Sequence, residues 1–204
     1  MQYDRANRGA YCASGDHNVQ PITPPRAHVY SVTVSHYMFC QLRLALPDDL
    51  PAIVAIYNAS VAGRMATADL EPVPVDDRRQ WFAAHQTEAC PLWVAEATQS
   101  DRKIMGWVAL SDFYGRVAYA GTREIAVYVA PAAQGHGIAS MLVKKAILQA
   151  KALGLHTIVA YVFSHNEPSV RLFSRCGFSR WGHCPDIARM DGKARSLDIF
   201  GLTV

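Results

Sequence analysis

The chain has 204 residues, of which 50% are hydrophobic and 18% charged, with a formal net charge of +3. That length suits one well-buried domain, and the composition argues against extensive disorder. A charge this mild, with no run of Lys and Arg, disfavours nucleic acid as a partner, and no apolar stretch approaches the ~20 residues that cross a bilayer.

Residues 1–40 mix Gly, Pro, Asn, Asp and His without sustained periodicity and read as a flexible extension. Within it Val29, Ser31, Val32 and Val34 are a strand candidate, and Met38 is an alternative start. The domain is expected over 41–204. Residues 41–46 alternate as a strand, and Pro47, Asp48 and Asp49 place acids at the positive end of a helix running to about Val61. Residues 62–74 carry Gly63, Pro72 and Pro74 and form a loop. Val75, Asp76 and Asp77 then start a second helix through Trp81 and Phe82. Residues 92–97, 103–110 and 123–130 are β-branched or alternating runs, expected as an antiparallel meander.

After Pro131 a long helix is expected over 134–153, with Leu142, Ala146, Ala150 and Leu153 inward, Ser140, Lys144 and Lys151 outward, and Gly154 at its C-terminal cap. Residues 156–163 read as a buried strand and 166–176 as a short helix; a hairpin from Gly177 closes the chain at 197–203. Helices on both faces of a mixed, mostly antiparallel sheet make an α+β, three-layer fold. The five cysteines lie far apart without a C-x-x-C pair, which gives no zinc or dithiol site and fits reduced thiols in the cytoplasm.

The informative segment runs from Val127 to Ala139. A strand enters a glycine-bearing turn that becomes a helix N-terminus, where backbone N–H groups and the helix dipole favour an anion. Gly135 and Gly137 let the backbone approach phosphate with no Cβ in the way. A Walker A loop needs Lys then Ser or Thr after its last Gly, but Ile138 and Ala139 follow Gly137. A dinucleotide fingerprint needs a third Gly or Ala where Ser140 stands, and an acid ~20 residues beyond, where residues 155–159 have none.

The remaining pattern, Gln134-Gly135-His136-Gly137-Ile138-Ala139, resembles the Q/R-x-x-G-x-G/A segment of the GNAT superfamily of N-acetyltransferases. The Asn166-led helix ending in Gly177-Phe178 is similar to that superfamily's second landmark. Asp49 to Ile53, Ile56 to Asn58, Arg78 to Phe82, Glu124, Val127 to Val129 and Leu197-Asp198 resemble the phosphinothricin and methionine sulfoximine acetyltransferases in particular. The resemblance implies central strands that splay apart, acetyl-CoA as co-substrate without a metal, a small-molecule amine as acceptor and a homodimer.

It also implies site residues. Glu124 matches the catalytic glutamate and is the expected base. Val127, Tyr128 and Val129 are expected along the pantetheine arm, Gln134, Gly135, His136, Gly137, Ile138 and Ala139 at the diphosphate, and Asn166 and Ser169 at the second landmark. Asn166 also reads as a plain helix N-cap. Phe113, Arg116 and Arg123 are the expected acceptor contacts, although the polar segments usual in the family are altered here to residues 113–116, Ala120-Gly121 and Ile125-Ala126. The position that often holds a Tyr acid for the leaving sulfur is Phe173. Rival readings are acetylation of a protein N-terminus or polyamine, and a non-catalytic acetyl-CoA sensor.

Overall fold

A computed structural model describes residues 40–98 and 102–204. The extension expected over 1–40, with its strand candidate and Met38, therefore lies outside the described residues, apart from Cys40, which opens the first strand. The strands are β1 (Cys40–Leu44), β2 (Leu92–Ala97), β3 (Ile104–Asp112), β4 (Thr122–Val129), β5 (Thr157–Phe163), β6 (Ser179–Met190) and β7 (Lys193–Thr203). The helices are α1 (Leu50–Val61), α2 (Arg79–Ala84), α3 (Ile138–Ala152) and α4 (Glu167–Arg175). The strands form one sheet in the order β1-β2-β3-β4-β5-β7-β6. Every neighbouring pair is antiparallel except β4 and β5, which the α3 crossover makes parallel.

Strict alternation along the central strands sorts side chains into two cores. Trp93, Ala95, Val108, Leu110 and Ile125 face α3, whose Leu142, Ala146 and Ala150 are fully buried against them. Leu92, Val94, Trp107 and Ala109 face the other way, onto Leu50, Ile53, Val54 and Phe82 of α1 and α2. The result is the expected mixed sheet between helical layers. At its edge, Arg43 of β1 donates to both carboxylate oxygens of Asp49, at 2.6 and 2.9 Å, and to Glu96 of β2 at 2.8 Å. Hydrogen bonds from Arg43 and then Gln41 hold the Glu96 carboxyl down at about 2.

The long helix starts four residues later than its sequence pattern predicts. Gln134 is extended, and Gly135 and Gly137 have φ of 79° and 80°, a left-handed conformation that a right-handed helix cannot include. At the other end Gly154, with φ 68°, follows the helix as expected. The β4–β5 ladder stops at Glu124 opposite Val159, although both strands continue beyond it. From that point β5 stays paired to β7 and β4 to β3, so the sheet opens into a wedge. Among the described residues no helix is long and apolar enough to cross a membrane.

Candidate active site

The wedge and the turn at the end of β4 frame one region. Gly137 is the N-cap of α3 and supplies no side chain to its first-turn N–H groups. A Cβ built at Gly135 or Gly137 meets no described atom within 4 Å, so the turn is not crowded by neighbouring side chains at either glycine. Gln134, Gly135, His136 and Gly137 are exposed, while Ile138 is buried and Ala139 half-buried, anchoring the helix start to the core. The Gln134 amide reaches back only loosely, 3.5 Å from the Val129 carbonyl. An open ring of backbone donors at a helix's positive end fits a diphosphate.

Between this turn and Glu124, the β5-facing edge of residues 125–129 has no ladder partner among the described residues. Main-chain groups of Val127 and Val129 there are placed to pair with an extended arm, as an added strand does. Glu124 occupies the last paired position and is half-buried. Because side chains alternate along a strand, it shares a face with Ala126 and Tyr128, the face of α1 and α2.

That face carries a row of rings. Tyr128 lies 4.7 Å from Trp107 and 5.1 Å from Tyr57, and Trp107 lies 5.6 Å from Trp81. The Arg78 guanidinium sits 4.6 Å from the Tyr57 ring centroid and pairs with Asp69 at 3.2 Å. Tyr57 donates to Asp69, and Tyr128 donates to the Ala66 carbonyl at 3.1 Å. Burial pushes the Tyr128 hydroxyl well above its ordinary range, as it does for Tyr57, so both stay neutral donors at physiological pH.

The second landmark is tied into the scaffold. Asn166 is buried; its side-chain oxygen accepts from the Ser169 N–H at 3.2 Å and its amide donates to the Met65 carbonyl at 2.9 Å. It thus caps α4 and ties the 62–74 loop to it, which uses both ends of the side chain. Phe173 is buried against Phe178, at 5.1 Å, and Phe200, so no hydroxyl stands at that position.

The three expected acceptor contacts lie at and beyond the end of β3 and in the paired part of β4. Phe113 forms a small aromatic group with Tyr114 and Tyr119 beyond the end of β3, and Arg116 is exposed in the same loop. Arg123 lies one residue from Glu124 and therefore on the opposite face. Its buried guanidinium donates to the Ala89, Ala120 and Thr122 carbonyls at 2.9–3.0 Å and pairs with Asp112 at 3.3 Å. Sequence reasoning named Tyr128 but not the ring row that it forms with Trp107, Tyr57 and Arg78, and it missed His85, which the fold brings to Ser111 on the Glu124 face. Period-two spacing of Trp107, Ala109 and Ser111 was the available signal for the serine; nothing local marked the histidine.

Comparison with known proteins places this geometry. Residues 53–178 match the acetyltransferase (GNAT) family. The chain is 46% identical over 160 residues to the YwnH protein of Bacillus subtilis, covering 78% of this chain and 96% of that one. It is 32% identical over 167 residues to the L-methionine sulfoximine/L-methionine sulfone acetyltransferase of Pseudomonas paraeruginosa, covering 82% and 96%. The crystal structure of a phosphinothricin acetyltransferase from Sinorhizobium meliloti in complex with acetyl-CoA superposes with a TM-score of 0.76 at 25% identity, over 81% of this chain and 88% of that one.

Proposed function

The chain belongs to the acetyltransferase (GNAT) family, and we propose that it moves an acetyl group from acetyl-CoA to the α-amino group of a small amino acid-like acceptor. Methionine sulfoximine and phosphinothricin, for which its relatives are named, are the acceptors of choice. The observation that carries the reading is the position of Glu124, at the last paired step of β4 before the wedge, with the open glycine turn at the strand's other end.

In this reading the N–H groups of residues 135–139 hold the diphosphate of acetyl-CoA, and Val127 and Val129 pair with its pantetheine arm. That arm delivers the thioester into the wedge beside Glu124. A simple alkyl amine has a pKa near ~10 and arrives protonated, so a base must take a proton before nitrogen can attack. Glu124 takes it. A main-chain N–H on the open β4 edge steadies the carbonyl oxygen as negative charge grows there. The nitrogen–carbon bond forms, the nitrogen sheds its second proton to water as the carbon–sulfur bond breaks, and the departing thiolate collects a proton from that water, since Phe173 offers none and a thiol of pKa ~8.5 is a fair leaving group. The α1–α2 face, with its ring row and Arg78, receives the acceptor's side chain and carboxylate. In this reading the enzyme is cytoplasmic and a homodimer.

The test is thiol release from acetyl-CoA with methionine sulfoximine, phosphinothricin, a polyamine and a peptide N-terminus. Turnover on the amino acid analogues is expected, and Glu124→Gln should slow it by roughly 10²–10⁴-fold while sparing CoA affinity. CoA binding without turnover on any amine overturns the reading in favour of a sensor, and turnover on the polyamine or peptide alone overturns the acceptor.

A further inference from the structure

We propose that Ser111, its hydroxyl hydrogen held by the buried His85, is a second acceptor for the incoming ammonium group, so that the reacting nitrogen is bracketed between Ser111 Oγ and the Glu124 carboxylate. The inference rests on the acetyl-transfer reading above and names the chemical class that the site admits, a primary ammonium.

His85 caps the C-terminal end of α2, is 5% exposed and packs its ring 4.6 Å from that of Trp81. Its Nδ1 lies 2.7 Å from the Trp81 carbonyl oxygen, a group that can only accept, so Nδ1 carries hydrogen. Burial lowers the pKa of the ring, which is therefore neutral at pH 7. A neutral imidazole with hydrogen on Nδ1 has an acceptor at Nε2. That atom lies 2.9 Å from Ser111 Oγ, so the serine is the donor of this bond. The serine's one hydrogen is thereby committed inward, and its oxygen presents only lone pairs to any other group.

Ser111 is the register partner of Glu124 across the β3–β4 ladder, which runs without a bulge from Gly106 to Asp112. Partners on one face have Cβ atoms ~4.5–5.5 Å apart. An acceptor-only hydroxyl and a carboxylate thus stand side by side where the sheet opens. An ammonium has three donors and satisfies both. When Glu124 removes one proton, the N–H that remains on Ser111 keeps the nitrogen in place beside the thioester. An alcohol, with a single hydrogen, satisfies only one of the two groups.

Steady-state kinetics with methionine sulfoximine and acetyl-CoA test the role, alongside titration of the amine into the enzyme–CoA complex. Ser111→Ala should raise the KM and Kd for the amine roughly 10–100-fold, the loss of one hydrogen bond to a charged group, with the KM for acetyl-CoA unchanged. Ser111→Thr, which keeps the hydroxyl, should recover most of the loss. His85→Phe keeps the packing against Trp81 but frees the serine hydrogen, and should raise the amine KM in wild-type background while adding nothing to Ser111→Ala. Melting curves check that each variant is folded. If Ser111→Ala stays within twofold of wild type, or shifts both substrates alike, the inference fails while turnover by the wild type leaves the acetyl-transfer reading standing. A wild-type protein that binds no primary amine overturns both.

Discussion

Placing a methyl group at Gly137 separates the cost of a strained turn from the loss of a ligand. Gly137 has φ 80° and Gly154 has φ 68°, at opposite ends of the 15-residue α3. At both, an added Cβ meets no described atom within 4 Å, so packing resists neither substitution. Alanine at either position therefore carries only the left-handed penalty, roughly 1–2 kcal/mol, which lowers Tm by about 2–8 °C for a chain of this size. The two sites lie at least ~22 Å apart along the helix. In the proposed cradle, only at Gly137 would the methyl stand where a phosphate oxygen approaches the helix mouth. Displacing that oxygen from a charge-assisted donor costs ~1.5–3 kcal/mol, or about 10–100-fold in Kd. Calorimetric titration of CoA into Gly137→Ala and Gly154→Ala, matched by their melting curves, reads both quantities. Equal stability loss with weakened binding only in Gly137→Ala is expected; equal CoA affinities in the two variants would refute the cradle.

Other perturbations test the scaffold. The Glu96 pKa, held at about 2 by Arg43 and Gln41, lies below its unfolded value, so the stability it contributes is complete above about pH 5 and is lost as pH falls toward 2. Melting curves across that window should flatten in Glu96→Gln, and an unchanged pH slope would contradict the pairing. Replacing Asn166 by Ala removes the α4 cap and leaves the half-buried Met65 carbonyl without its donor. A loss of about 2–4 kcal/mol in urea unfolding is expected, the sum of a cap and an unsatisfied group. Arg123→Lys should lower Tm, since a lysine cannot serve the same three carbonyls and Asp112, while leaving the amine KM unchanged in the folded fraction. A raised amine KM at unaltered Tm would return Arg123 to the acceptor site.

Periodicity made the strands legible, because a sheet covered on both faces demands apolar residues on both and the β-branched runs supply them. The turn at 134–137 was legible as the approach to a helix N-terminus but not as lying wholly outside the helix. Gln134 and His136 are acceptable helix residues, and only the positive φ of the two glycines excludes them. Arg123 was expected at the acceptor because the charged groups usual in the family are altered nearby. No local pattern announces that its guanidinium is taken up by three backbone carbonyls and Asp112, on the face of the sheet opposite the Glu124 side chain. Asn166 read correctly as a cap, since that role is local, but its bond to Met65 spans 101 residues of sequence. The His85–Ser111 pair has the same character: it exists only after α2 docks against the end of β3, and no spacing rule anticipates it.

The most direct test of the whole account is a crystal structure of the protein with CoA. The diphosphate should sit on the main-chain N–H groups of residues 135–139, and the pantetheine arm should run along the open edge of residues 125–129 with its sulfur beside Glu124. Density for the diphosphate at another surface, or a sulfur on the far side of β5 from Glu124, would contradict it.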